Sequence, residues 1–368
     1  MSCAVPLLLP EKFKTALRCF STRSIPKIAL QTIATYLWSS DFACVASRDG
    51  YLRLLFDGTS FVFERNLGPH ALWCLCSAWG NLYVSFWGGA VKAFSLSDDL
   101  QLKYHFPGFS TLLCLCSTTQ GVCAGSDDGC FYVFSPQLAI LSVVAVHSKE
   151  LWSRELNCCL PAFETVLLGG ECGILYRLSD FASSSSTQIE AVKDFRISSF
   201  FCLQFNEDIS LLFAGLENGV DALCASTFTS LFIIPFCESV WSISAWPGED
   251  VIVLGTTCNG IVVVRLHTEN IRRSRHDRDP NDTFWTMQLR MVEIGTCSAI
   301  SHVLKGSWYA ASNRSRIYFC GADGTITSRF VALPVVEPGD HSQTPRRDIY
   351  DVLCITNNLS GHLLPVDA

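Results

Sequence analysis

Short apolar runs and tight turns alternate along most of the chain, and one pattern of this kind returns seven times. An apolar run leads into a turn, often Asp-Gly or Asn-Gly, and a second apolar or aromatic run follows. Glycine adopts the positive φ that such turns require, and Asn or Asp tolerates it. The pattern therefore predicts seven antiparallel hairpins, at residues 42–56, 82–96, 121–135, 165–179, 211–225, 251–266 and 307–321.

The hairpins recur at a nearly constant interval. The turn glycines of the first six copies are separated by 39, 40, 44, 46 and 41 residues; they are Gly50, Gly89, Gly129, Gly173, Gly219 and Gly260. A period near forty that consists of strands is typical of a β-propeller, in which each copy becomes one blade. We therefore predict an all-β fold, a seven-bladed β-propeller of four-stranded antiparallel blades, with eight blades as the alternative.

Apolar runs on either side of each hairpin supply the remaining strands, and they set the domain organisation. We predict a basic N-terminal segment at 1–28, the propeller at 29–333 and a C-terminal tail at 334–368. Residues 30–38 are predicted to open the first blade. The tail holds one more apolar run, 349–356, which could close the ring, lie against it or start an eighth blade.

Two polar inserts interrupt the pattern. Residues 180–188 include four consecutive serines and are typical of a solvated linker. Residues 267–282 mix several arginines and aspartates. This second insert either grips an acidic partner or forms a solvated loop.

Composition narrows the classes of partner. Of the 368 residues, 49% are hydrophobic and 17% charged, which suits strands that are buried on both faces. A net charge of −7 argues against nucleic acid as a partner. No apolar run approaches the roughly 18 residues of a membrane span, so we expect no membrane partner. The basic N-terminus leaves organelle targeting open beside a cytoplasmic location.

Nineteen cysteines are an unusual number, and several alternate along predicted strands. Cys74 and Cys76 share one face of a strand, as do Cys114 and Cys116, because side chains two residues apart point the same way. They either form a metal or redox site or fill buried space as small hydrophobic residues, and we favour the second interpretation. No Cys-x-x-Cys pair with histidines at zinc spacing occurs. We therefore expect no metal, no cofactor and a reducing, cytoplasmic compartment.

The link into the fourth blade carries the clearest candidate chemistry. His147, Glu150 and Trp152 form a His-x-x-Glu-x-Trp pattern. A histidine changes protonation near neutral pH, a nearby carboxylate orients it, and an indole stacks on cations. The alternative is structural, because a histidine at such a link can hold a turn of its own blade.

The repeats and this link also resemble those of a known protein family. The chain resembles the WD-repeat family, although the Trp-Asp dipeptide is missing, and within it most resembles the diphthine methylesterase (diphthine methyltransferase) family. The shared features are ALQT (29–32), the His147-Glu150-Trp152 link followed by Gly169-Gly170, and VWSISAWP (240–247). The family's Gly-Ser-Tyr-Asp stretch appears here as GLENG (215–219).

The resemblance implies hydrolysis of the methyl ester of methylated diphthine on elongation factor 2, a step in diphthamide biosynthesis. Ester hydrolysis needs a base and donors for the oxyanion. We assign His147 as the candidate base and Glu150 as its orienting acid, with backbone N–H groups near Gly169 and Gly170 as donors. Trp152 and Trp241 are candidates to hold the trimethylammonium group, unless both pack between blades. The alternative function is a non-enzymatic scaffold that docks partner proteins on its loops.

Overall fold

The computed structural model describes seventeen stretches of the chain. They are residues 42–47, 50–56, 60–96, 100–146, 153–162, 164–181, 187–195, 198–206, 208–245, 250–258, 260–274, 282–291, 297–303, 307–312, 316–320, 326–331 and 349–355. The strands in these stretches form seven four-stranded antiparallel sheets, each of which is one blade. The prediction of an all-β propeller is therefore confirmed, and seven blades fit the described strands.

The strands of the first four blades follow the predicted hairpins closely. The first blade contains β1 (Phe42–Ser47), β2 (Tyr51–Phe56) and β3 (Ser60–Asn66). The second contains β4 (Leu72–Ala78), β5 (Asn81–Phe86), β6 (Ala90–Ser95) and β7 (Leu102–Pro107). The third contains β8 (Leu112–Ser117), β9 (Val122–Ser126), β10 (Cys130–Phe134) and β11 (Ile140–Ala145). The fourth contains β12 (Cys158–Ala162), β13 (Thr165–Gly169), β14 (Ile174–Ser179) and β15 (Gln188–Asp194).

The later blades repeat the arrangement. The fifth contains β16 (Phe200–Asn206), β17 (Leu211–Leu216), β18 (Gly219–Cys224) and β19 (Ser230–Pro235). The sixth contains β20 (Val240–Ala245), β21 (Val251–Thr256), β22 (Ile261–Leu266) and β23 (Trp285–Met291). The seventh contains β24 (Cys297–Val303), β25 (Ser307–Ser312), β26 (Arg316–Cys320) and β27 (Ile326–Val331). The last strand is β28 (Ile349–Ile355).

The C-terminal strand completes the first blade. β28 pairs antiparallel with β1, opposite Cys354 to Ala43 and Val352 to Val45, so this sheet has the order β28-β1-β2-β3. The sequence placed residues 30–38 at this inner position; they lie outside the described residues, and 349–355 occupy the place instead. The inner strands β28, β4, β8, β12, β16, β20 and β24 contact one another in turn, and β24 contacts β28. The ring is thus closed by strands from its two ends.

The turn glycines adopt the backbone that the pattern required. All six have a positive φ, between 66° and 139°. Gly89 shows why no other residue fits, since a Cβ added there would lie 2.7 Å from the carbonyl oxygen of Ser110. The turn is therefore packed against the link that follows the second blade, and a side chain would push the two apart.

The hydrophobic core lies between blades rather than in one centre. One buried cluster joins the fifth and sixth blades and includes Phe213, Ile234, Ile243 and Leu254. Another joins the third and fourth blades and includes Phe131, which contacts the ring of Phe181 edge-on at 5.9 Å. Each blade therefore buries its two faces against its neighbours.

Inner-strand thiols also tie neighbouring blades together. Cys74, Cys114 and Cys202 each stand third in an inner strand and donate an S–H to a carbonyl of the next blade. The acceptors are the carbonyl oxygens of Leu112 (3.8 Å), Leu156 (3.4 Å) and Val240 (3.6 Å). Of the fifteen cysteines whose side chains the structure describes, nine are buried. This placement supports the interpretation of most cysteines as small buried residues.

The insert of the sixth blade begins with a short helix. Helix α1 spans Thr268–Ser274 and buries Ile271 against the blade. Arg273 forms an ion pair with Asp282 at the far end of the insert. Residues 275–281 lie outside the described part, as do residues 182–186 of the serine-rich insert.

Candidate functional site

The links between blades and the turns between second and third strands lie together on one face of the ring, here called the upper face. In four blades the first residues of a turn hydrogen-bond to the preceding link. The Trp87 N–H donates to the Ala71 carbonyl at 2.8 Å, and the Glu171 N–H donates to the Glu155 carbonyl at 3.1 Å. Thr111 and Ser239 are the link acceptors in the third and sixth blades. Residues far apart in sequence therefore meet on this face.

A serine in the link holds an acidic side chain in the turn of three consecutive blades. Ser153 donates to the Glu171 carboxylate at 2.8 Å, and in each case 18 residues separate the pair. The other two pairs are Ser110 with Asp128 at 2.5 Å and Ser199 with Glu217 at 3.0 Å. We did not predict these acids as site residues. The sequence pattern that could have indicated them is an acid one or two residues before the turn glycine, with a serine eighteen residues before the acid.

The acidic residues of the upper face differ in the direction of their pKa shifts. Burial would raise the pKa of Asp128, but hydrogen bonds from Ser110, Ser126 and the Cys130 N–H lower it below its usual value. The pKa of Glu155 is raised by burial and then by the charges of Glu171 and Asp127. Carboxylates of the third and fourth blades therefore lie close enough to repel one another, which favours a cation between them.

The inner strands are irregular where they begin at the upper face. The register of β16 shifts between Phe200 and Cys202, and that of β20 shifts between Val240 and Ser242. Comparable shifts occur in β4, β8, β24 and β28, whereas β12 pairs regularly. A bulge leaves one residue out of the alternation and re-aims its side chain. Trp241 stands at such a position and is 41% exposed between two buried neighbours.

Two aromatic pairs result at the upper face. Trp241 stacks on Phe201 of the fifth blade, with ring centroids 5.9 Å apart and planes at 20°. In the second blade Trp73 lies 5.3 Å from Trp87, which is 54% exposed. Trp241 was a predicted binding residue, while Phe201 was not. Trp241 packs against a residue of the neighbouring blade and is still exposed, and its role in binding a ligand stays a prediction.

The links that precede Phe201 and Trp241 each have an acidic residue tied to them, exposed Glu217 and buried Glu238. Glu217 is held by Ser199, two residues before Phe201. Glu238, three residues before Trp241, accepts a hydrogen bond from the Cys258 N–H at 2.6 Å and lies 3.6 Å from Arg290. An aromatic surface with carboxylates beside it can bind an organic cation.

The structure describes the link into the fourth blade, which carries the predicted catalytic residues, only at its two ends. His147, Glu150 and Trp152 lie outside the described residues. The link is anchored on both sides of them, because the Val146 N–H donates to the Gly129 carbonyl at 3.0 Å and Ser153 binds Glu171. The assignment of these three residues stays a prediction.

Gly169 and Gly170 are buried beneath this link. A Cβ on Gly170 would lie 1.9 Å from the Glu155 carbonyl oxygen, and one on Gly169 would lie 3.0 Å from the Cys158 sulfur. The Gly170 carbonyl accepts from the N–H groups of Gly173 and Phe200, both at 3.1 Å. Close packing of the chain therefore requires both glycines, and their role as oxyanion donors stays a prediction.

The described residues contain neither a metal site nor a membrane-spanning helix. No group of three or more His, Cys, Asp or Glu side chains in these stretches is arranged to hold a metal. No helix in the part described is long and apolar enough to cross a membrane. A cavity of about 130 Å³ lies between the fourth and fifth blades on the lower face, lined mainly by Leu167, Phe205, Leu212 and Phe228.

Comparison with known proteins gives structural likeness only. No protein-family model matches the chain, and no curated protein matches it. A chain of the mitotic checkpoint complex is similar at 12% identity with a TM-score of 0.60, covering 76% of this chain and 86% of that one. The computationally designed Ika8 protein is similar at 12% identity with a TM-score of 0.57, covering 78% and 83%. Identity this low supports the fold alone, and the chain is a β-propeller whose described strands fit seven blades.

Proposed function

We propose that the chain is a protein-binding propeller that receives a cationic group of its partner on the upper face. One observation supports this most directly, the exposed stack of Trp241 on Phe201, which follows the link serine Ser199 that binds the exposed carboxylate of Glu217. Aromatic faces attract ammonium and guanidinium groups, and the attraction reaches about 2 kcal/mol when the cation is desolvated.

The charge of the upper face supports the same kind of partner. The turns and links of the third, fourth and fifth blades present Asp127, Asp128, Glu155, Glu171 and Glu217, and the chain carries a net charge of −7. Among the described residues of these segments, Arg154 is the exposed base. A field of this sign speeds the approach of a basic segment and repels an acidic one.

Peptide binding tests this proposal directly. A lysine- and arginine-rich decapeptide should bind the protein, with affinity falling as salt is raised, and a glutamate-rich decapeptide of equal length should not. Trp241→Ala and Glu217→Gln should each lower the affinity for the basic peptide several-fold. Equal binding of both peptides, or affinity unchanged in both variants, would contradict a cation-binding upper face.

A second candidate is the methyl ester hydrolase that the sequence resemblance implies, acting on methylated diphthine of elongation factor 2. It is favoured by Trp241, which was proposed as part of a trimethylammonium site and is exposed on an aromatic partner. In this proposal His147 is the base, Glu150 orients it, and Trp152 completes the cation site. Both candidates place the partner on the same face.

Methanol release separates the two candidates. Elongation factor 2 that carries methylated diphthine is incubated with wild-type protein and with His147→Ala, and methanol and binding are measured in the same samples. The hydrolase predicts methanol from the wild type and little from the variant, with binding retained in both. Binding without methanol release would leave the scaffold function and reject the hydrolase.

A further inference from the structure

Four thiols meet between the third and fourth blades, away from the acidic and aromatic residues of the upper face. Cys114 and Cys116 lie on the inner strand β8, Cys123 on β9, and Cys159 on the neighbouring inner strand β12. Cys116 and Cys123 belong to one buried cluster between these blades, and Cys159 packs against that cluster. The four thiols therefore come from three strands and two blades.

Cys116 and Cys123 differ from the other thiols in register. They stand directly opposite each other in the β8–β9 pair, and no other pair of described cysteines is opposed in this way. Opposite residues of antiparallel strands have Cα atoms about 4.5–5.5 Å apart. A disulfide spans a Cα separation of about 4.4–6.8 Å. The Cα separation expected for this pair is therefore within the range that a disulfide spans.

The two thiols are also unequal in reactivity. Hydrogen bonds from Cys123 and then Cys159 lower the pKa of Cys116 below that of an ordinary thiol, although burial acts against them. The hydrogen bond to Cys116 and burial raise the pKa of Cys123. The thiolate is the form that reacts with peroxides. Cys116 is 7% exposed and Cys123 is fully buried, so a small neutral oxidant reaches Cys116 first.

We propose that Cys116 and Cys123 are a redox-active pair that closes a cross-strand disulfide within the third blade when a hydroperoxide reaches it. The Cys116 thiolate attacks the peroxide, the O–O bond breaks, and a sulfenic acid and one water form after proton uptake. Cys123 then attacks the sulfenic sulfur, the S–S bond forms, and a second water leaves. Two thiols lose two electrons and two protons in total, and hydrogen peroxide is reduced to two waters.

The bond is reversible for a geometric reason. The Cβ atoms of opposite residues lie about 4.5–5.5 Å apart, whereas a relaxed disulfide needs about 3.5–4.5 Å. Closing the bond draws the two strands together, and strained disulfides have more oxidising potentials. A mild dithiol should therefore restore the thiols.

Peptide mass spectrometry of the folded protein tests the pair. Chymotrypsin releases residues 116–131, which contain Cys116, Cys123 and Cys130. Cys130→Ser leaves only the two proposed thiols in this peptide. After peroxide treatment under native conditions and alkylation of remaining thiols, the peptide should lose about 2 Da, the mass of two hydrogens, and carry no alkyl groups. Dithiothreitol before alkylation should reverse both changes.

Two further variants keep the result interpretable. Cys116→Ser and Cys123→Ser, each in the Cys130→Ser background, should abolish the mass loss while circular dichroism shows the strand content retained. Serine at 123 can keep the contact with Thr118 Oγ1, which lies 3.9 Å from the Cys123 sulfur. A bond mapped to Cys159 or Cys114, stable addition of oxygen to Cys116, or no change at peroxide levels that oxidise a free thiol would each overturn the proposal.

Discussion

Trp241 lies flat against Phe201, although the two residues belong to different blades, and 5.9 Å separates their ring centroids. Both stand at bulged positions near the start of inner strands, so their rings leave the alternation of the sheet and reach the upper face. The pair joins two blades and leaves indole surface exposed to a partner.

The first prediction concerns this pair. Trp241→Ala should lower the affinity for tetramethylammonium, measured by titration of tryptophan indole N–H signals, by about 2- to 30-fold, since one cation–π contact contributes about 0.5–2 kcal/mol. Trp79→Ala is the matched control, because Trp79 is similarly exposed, at 39%, and lies at the turn opposite the upper face. Equal losses in both variants would show that the stack is not the cation site.

A second prediction concerns packing between the fifth and sixth blades. A Cβ on Gly215 would lie 2.4 Å from the Cys202 sulfur and 2.7 Å from the Val240 carbonyl oxygen. Gly215→Ala should therefore reduce the free energy of unfolding by about 1–3 kcal/mol in urea denaturation. Gly80→Ala is the control variant, because a Cβ at Gly80 meets nothing within 4 Å.

The Gly80 control has its own small cost. Its φ of +68° disfavours alanine, so about 1 kcal/mol is expected from the backbone alone. The double variant Cys202→Ala with Gly215→Ala should recover part of the lost stability, because the sulfur contact is removed while the carbonyl contact remains. No recovery would mean that the carbonyl of the sixth blade accounts for the whole effect.

Much of the blade structure followed from local chemistry. Gly129 and Gly173 marked turns because only a few residues tolerate their backbone, and the strands on either side appeared where the apolar runs were. The pattern left ring closure as one of three open roles for the run 349–356, because these residues are far from β1 in the sequence and no turn connects the two strands. The Ser153–Glu171 contact was missed because each residue alone is ordinary in a loop. Phe201 was missed because a bulge depends on register, which hydrophobic pattern does not specify.

The third prediction concerns pH. Burial raises the pKa of Asp221, whose carboxylate accepts a hydrogen bond from Ser230 at 2.5 Å. A carboxyl with a raised pKa in the folded state takes up a proton more readily there than in the unfolded chain. Stability from this group therefore increases as pH falls from 7 through the folded-state pKa. Relative to Asp221→Asn, the wild type should gain unfolding free energy as pH is lowered from 7 to about 4; parallel profiles would contradict the assignment.

A fourth prediction concerns ring closure. A chain that ends at Asp348 lacks β28, so β1 loses its partner and the neighbouring inner strands β4 and β24 lose a contact. We expect it to unfold at lower urea concentration, with a broader transition, and to be cut rapidly by protease within 42–66. A chain that ends at Thr356 keeps β28 and should behave like the full chain.

Because the first blade takes its inner strand from residues 349–355, that blade remains three-stranded until synthesis has passed Ile355. On the ribosome, β1 lacks this partner until β28 has been made, and the middle blades can associate before then. A chaperone that shields the edge of β1 would therefore protect the first blade during this interval.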